Sequence, residues 1–155
     1  MNYKKLIISL VLPQLAGGLG AIFTTSAIPV WYMGLAKPSF NPPNWIFGPV
    51  WLTLYFLMGV SAYLIWMKVG ENKKASDALW IFWLHLIFNA IWSPVFFGLQ
   101  NLFLALMIIA IILFLIVIMI YRFWDINKLA SVLLFPYLLW VSFATLLNYY
   151  ILILN

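Results

Sequence analysis

The chain has 155 residues, 67% of them hydrophobic and 7% charged, with a formal net charge of +5 from eight Lys or Arg against three Asp or Glu. A soluble domain carries about 25% charged residues, so a water-facing surface is excluded and the bilayer must be the solvent for most of the outside. The absence of cysteine excludes disulfides and thiolate metal sites, and the basic excess on so apolar a chain reads as a topology signal, with no nucleic-acid partner expected.

A membrane span needs roughly 20 mainly apolar residues, and five runs reach that length. The first, residues 6–27, follows Lys4 and Lys5 as in a signal peptide, but it is too long for one and reads as a retained helix. Its Gln14, Gly17, Gly18, Ala21 and Thr25 give a small, weakly polar face. Pro29 and then Lys37-Pro38-Ser39-Phe40-Asn41-Pro42-Pro43 end this span and make a long loop over about 28–45. The second span, 46–67, stacks Phe47, Trp51 and Tyr55 on one face.

Val69-Gly70-Glu71-Asn72-Lys73-Lys74 is the most polar stretch and separates the second span from the third, 78–97. There His85, Asn89 and Ser93 recur every four residues, with Trp92 and Phe96 beside them. The turn Gly98-Leu99-Gln100-Asn101 leads into the fourth span, 102–121, and Arg122 to Lys128 link it to the fifth, 129–152, where Trp140, Ala144 and Asn148 share a face. Pro13, Pro49, Pro94 and Pro136 fall inside or near the starts of spans, where neighbouring helices re-satisfy the freed carbonyls. Lipid offers the backbone no partners, so the runs must be helices. The expectation is an all-α membrane protein, a five-transmembrane-helix bundle forming one domain over 1–155.

Five spans put the two termini on opposite sides. Lys4, Lys5, Lys68, Lys73, Lys74, Arg122 and Lys128 fall on the side of the N-terminus, and Lys37 alone on the other. The positive-inside bias then predicts a cytoplasmic N-terminus, with the first loop and the C-terminus outside. The localisation expected is integral and multi-pass, in the cell membrane of a prokaryote. Trp31, Tyr32 and Trp45 at one end and Trp66, Trp80, Tyr121 and Trp124 at the other read as aromatic belts.

No Asp, Glu, Lys or Arg lies deep in a span, which argues against an ion-coupled transporter and against paired-carboxylate catalysis. No metal site is expected, because the single His85 has no partner ligands. His85 reads as hydrogen-bonded packing, with haem ligation the alternative. Polar faces of membrane helices turn inward, so four faces converge on a cavity lined by indole, phenol and amide groups. Gly17, Gly18 and Ala21 read as close packing, whereas Asn89 and Asn148 serve packing or binding alike. Trp51 and Trp140 read as functional: an indole turned into a bundle packs poorly unless something flat fills the remaining space, and its N–H wants a partner.

Three stretches carry a family resemblance. The first runs from Trp31-Tyr32-Met33-Gly34-Leu35-Ala36-Lys37-Pro38 through Asn41-Pro42-Pro43-Asn44-Trp45 to Phe47-Gly48-Pro49-Val50-Trp51 and Leu54-Tyr55. The second is Phe88-Asn89-Ala90-Ile91-Trp92-Ser93-Pro94, and the third Pro136-Tyr137-Leu138-Leu139-Trp140 on to Ala144 and Leu147-Asn148. Together they resemble the tryptophan-rich sensory protein family, also called the translocator protein or peripheral benzodiazepine receptor family. The resemblance implies a five-helix bundle, a homodimer, and a cavity closed by the first loop that binds tetrapyrroles such as protoporphyrin IX, with sterol- and drug-like ligands also bound by some members. It implies a sensory or oxidative-stress role, with porphyrin as ligand and no required cofactor. By matching motifs, Trp51 and Trp140 are the cavity tryptophans, Asn89 and Ala144 lie beside them, and Tyr32 and Pro42 reach down from the loop. Phe47, Tyr55, His85 and Ser93 complete the candidate ligand set. The alternatives are light- and oxygen-dependent porphyrin breakdown, which would use Trp51 and Trp140, and passive translocation of porphyrin or lipid. One departure is that Tyr149-Tyr150 is followed by no Lys or Arg where sterol-binding relatives carry one. Another is that His85 stands where many relatives have Gln.

Overall fold

The computed structural model describes residues 2–155. Five helical segments are long and apolar enough to cross a membrane: Tyr3–Tyr32, Asn44–Trp66, Lys73–Gly98, Leu102–Trp124 and Lys128–Leu154. They contain α1 (Tyr3–Ala27), α2 (Asn44–Trp66), α3 (Lys73–Ser93), α4 (Leu102–Trp124), the single turn α5 (Lys128–Val132) and α6 (Phe135–Leu154). The chain is therefore the all-helical membrane bundle that its hydropathy requires.

Asparagines start four of the segments. Asn2 accepts from the Lys5 amide, Asn72 from Lys74, Asn101 from Leu104 and Asn127 from Ala130, at 2.9–3.2 Å. Each satisfies one amide that the first helical turn leaves free.

Prolines do not stop the helices as expected. Beyond Pro29 the first helix continues as a wider, π-type turn, Ile28–Tyr32, and beyond Pro94 the third does the same over Pro94–Gly98. Proline lacks an N–H and its ring crowds the preceding turn. A wider turn restores carbonyl partners: the Met33 amide donates to Ile28 O, and the Leu99 amide to Pro94 O. The first helix thus runs on to Tyr32, and the first loop is shorter than the expected 28–45.

Around the bundle the order is α1, α2, α5 with α6, α4 and α3, which closes back on α1. One end is tightly pinned. Gly59 of α2 is buried, and a Cβ there would fall 2.5 Å from Ser9 O and 3.0 Å from Leu10 Cα. Ser61 Oγ donates to Ala130 O at 2.6 Å, and Ser131 Oγ to Ile120 O at 2.7 Å, tying α2 to α5 and α5 to α4. Lys5 Nζ donates to Trp66 O at 3.1 Å, placing a cation at the negative end of α2.

At the other end the first loop is held down. Tyr32 Oη donates to Asn41 Oδ1 at 3.0 Å, and Phe40 packs edge-on against Tyr150, 5.3 Å between ring centres. The side-chain amide of Asn155 forms a pair with residue 36: the Ala36 amide donates to Asn155 Oδ1 at 2.9 Å, and Asn155 Nδ2 donates to Ala36 O at 3.0 Å. The belt assignment needs one correction here. Trp45, Trp80, Tyr121 and Trp124 are exposed, but Tyr32 is buried and Trp31 half-buried. Both rings pack on Phe96 and Phe97, because the helix that carries them extends past Pro29 and turns them inward.

Candidate ligand chamber

Between the loop-side halves of the helices lies a cavity of about 550 Å³, within the range of small-molecule sites. From α1 its wall takes Gln14, Gly17, Gly18, Gly20, Ala21, Thr24 and Thr25. The small side chains predicted at this face leave the space. Next to Gly17 the ring of Tyr55 occupies the volume a Cβ would need, so glycine is required there for α2 to come close.

From α2 the wall takes Phe47, Trp51 and Tyr55, the predicted face. Trp51 stacks on Tyr55, 5.4 Å between ring centres at 30°. From α3 and its extension come Asn89, Trp92, Ser93, Phe96 and Phe97, and Trp92 stacks on Phe96 at 5.0 Å and 25°. Two helices therefore each present a pair of nearly parallel rings to one chamber. From α6 come Val141, Ala144, Leu147, Asn148 and Ile151.

Most polar atoms of the wall are already engaged. Ser93 Oγ and Thr24 Oγ1 lie 2.8 Å apart and both reach Gly20 O at 2.9 Å, joining α1 to α3. Trp92 Nε1 donates to Asn148 Oδ1 at 3.4 Å, and Asn148 Nδ2 donates to Leu102 O at 3.2 Å. Trp51 Nε1 has no hydrogen-bond partner among the described residues, and it is not one of the nitrogens sealed in the interior. It remains an unused donor on a residue of the chamber wall.

Beneath the floor runs a buried polar chain. Tyr55 Oη donates to Asn89 Oδ1 at 2.8 Å, Asn89 Nδ2 donates to Tyr137 Oη, and Tyr137 Oη lies 2.8 Å from His85 Nε2. The Tyr137 hydroxyl and His85 Nε2 hydrogen-bond to each other, with either atom able to donate, and His85 Nδ1 finds no partner among the described residues. His85 is buried against Tyr137 and does not reach the chamber wall.

Of the ten candidate ligand residues, Trp51, Asn89, Ala144, Tyr32, Phe47, Tyr55 and Ser93 line the chamber together. Trp140, Pro42 and His85 do not line it. The Trp140 ring stands behind Phe47, 5.9 Å between ring centres, with its Nε1 buried and unpartnered among the described residues. Lys37 of the first loop folds back to donate to Met33 O and Leu35 O and lies over the Tyr32 ring. Sequence reading missed Thr24 and the contribution of α4, Ile109 and Ile112. Gly20 and Thr24, four apart, were the available signal for the first. The fourth span holds nothing polar to mark an inward face.

The sequence matches the TspO/MBR family over residues 9–154. It is 41% identical to the Tryptophan-rich protein TspO of Archaeoglobus fulgidus, across 100% of this chain and 99% of that one. It is 38% identical to the Translocator protein of Homo sapiens, across 88% of this chain and 82% of the relative. With the Tryptophan-rich sensory protein of Cereibacter sphaeroides it shares 37% identity, across 88% and 85%. The five spans, the aromatic chamber and these matches agree: the chain is an integral, multi-pass membrane protein and belongs to the TspO/MBR family.

Proposed function

We propose that the chamber binds a planar tetrapyrrole such as protoporphyrin IX, as a receptor in the membrane and not as a conventional enzyme. The observation that carries this reading is the pair of stacked aromatic plates, Trp51 on Tyr55 and Trp92 on Phe96, facing one cavity from two helices. Flat π-faces favour a flat π-ligand, and the free Trp51 N–H supplies a directed donor. Lys37 donates to two carbonyls at the end of the first helix and keeps its charge and one N–H for an anionic group at that end. The excess of Lys and Arg at the pinned end supports a cytoplasmic N-terminus, which puts the chamber in the outer half of the membrane.

The test is a protoporphyrin IX titration of the purified protein, read by quenching of tryptophan fluorescence. Aromatic stacking is worth about 0.5–1.5 kcal/mol per pair, so Trp51→Ala should weaken binding by roughly two- to tenfold or more. Trp140→Phe should weaken it less, since that ring stands behind Phe47. Undiminished affinity in a folded Trp51→Ala protein, or no binding by the parent chain, would refute the reading.

A further inference from the structure

The exposed parts of the chamber wall are all on one side. Gly18, Ala21 and Thr25 of α1, and Trp45, Gly48 and Leu52 of α2, line the chamber and are exposed on the bundle surface. Every wall residue from α3, its extension, α4 and α6 is buried or half-buried. Below this level the two helices are in close contact, at Gly59 against Ser9 and at Gly17 against Tyr55. Gln14 Nε2 donates to Leu52 O at 3.1 Å, forming a sill. Above the sill they part. A Cβ placed on Gly18 or Gly48 would meet nothing within 4 Å. From Leu52 up to Asn44 the gap is about 12 Å tall, at 1.5 Å per helical residue.

The loop end offers no comparable opening. Trp31 and Tyr32 pack on Phe96 and Phe97, and the loop is fastened by Tyr32 to Asn41 and by residue 36 to Asn155. We propose that the chamber is loaded sideways, through a slot between the loop-side halves of α1 and α2, by a flat molecule already dissolved in the bilayer. A planar ring passes edge-on between two helices that face the slot with Gly18, Ala21 and Gly48 at its middle. The indole of Trp45, exposed at the top of the slot, gives an arriving ring a first surface to stack on.

The inference rests on the tetrapyrrole reading for its probe, and the experiment separates the two. The protein in lipid nanodiscs is mixed with protoporphyrin IX, and tryptophan quenching is followed by stopped flow and at equilibrium. Filling the slot with Gly18→Phe and Gly48→Phe together should slow both association and release by roughly tenfold; because both glycines also line the chamber, slower release is the deciding readout and affinity is not. Gly18→Leu and Gly48→Leu, made singly, add less bulk and carry the same test should the double variant fail to fold. Unchanged rates in folded variants would overturn the sideways route while leaving the binding reading intact. Faster release would also overturn it, because an obstructed doorway cannot speed departure. No equilibrium binding by the parent chain would instead refute the tetrapyrrole reading itself.

Discussion

Gly59→Leu is expected to destabilise the bundle by about 3 kcal/mol, at the upper end of what overpacking costs. A Cβ at this position falls 2.5 Å from Ser9 O and 3.0 Å from Leu10 Cα. Both atoms belong to the backbone of α1, so no flexible side chain can swing aside; the two helices must separate. Separation also weakens the contacts on either side, since Ser61 Oγ and Lys5 Nζ bond near the same end. Gly18→Leu is the control, because it meets open space. Unfolding in mixed micelles, followed by loss of helical circular dichroism, measures both. Equal stability of the two variants would mean that Gly59 is not a pin.

Tyr137→Phe is expected to cost about 2 kcal/mol. The change keeps the ring and deletes one oxygen, yet that oxygen serves both Asn89 Nδ2 and His85 Nε2. A buried polar group left without a partner costs roughly 1–3 kcal/mol in water-soluble proteins. Interhelical bonds in membranes average about 0.6 and reach about 1.7 kcal/mol, which sets the lower figure for two lost bonds. The double variant Tyr137→Phe with His85→Leu should lose less than the sum of the single changes, since it no longer strands the imidazole, with a coupling of about 1 kcal/mol. Neither residue lines the chamber, so porphyrin affinity should hold in the single variant. Strict additivity of the two changes would dissolve the proposed chain of hydrogen bonds.

Much of this was legible in the residues. The five spans follow from apolar run length, and the α2 and α3 faces from four-residue spacing, because helix geometry fixes where Cβ points. The misreadings have physical causes. Pro29 was read as a stop, but a proline can be carried inside a helix that widens by one residue. That extension moved Tyr32 from the expected interface into the interior. Trp140 shares a face with Ala144 and Asn148 as the spacing required, yet its large ring swings behind Phe47, which Cβ direction alone does not determine. Ile109 and Ile112 could not be picked out, because a uniformly apolar helix has no distinguishable inward side. The gap between α1 and α2 was hidden as well. Gly17 and Gly18 both read as close-packing residues, and only tertiary placement tells a glycine that admits a neighbour from one that faces open space.

The amide pair between residue 36 and Asn155 joins positions 119 apart in the chain. A nascent polypeptide enters the membrane from its N-terminal end, so the segment around Ala36 emerges long before its partner. Until the fifth span follows, the Ala36 side of this pair has no partner, and the Tyr32–Asn41 bond is the early hold on the loop. Closure of the loop by this pair therefore waits on the fifth span, which also supplies part of the wall beneath it.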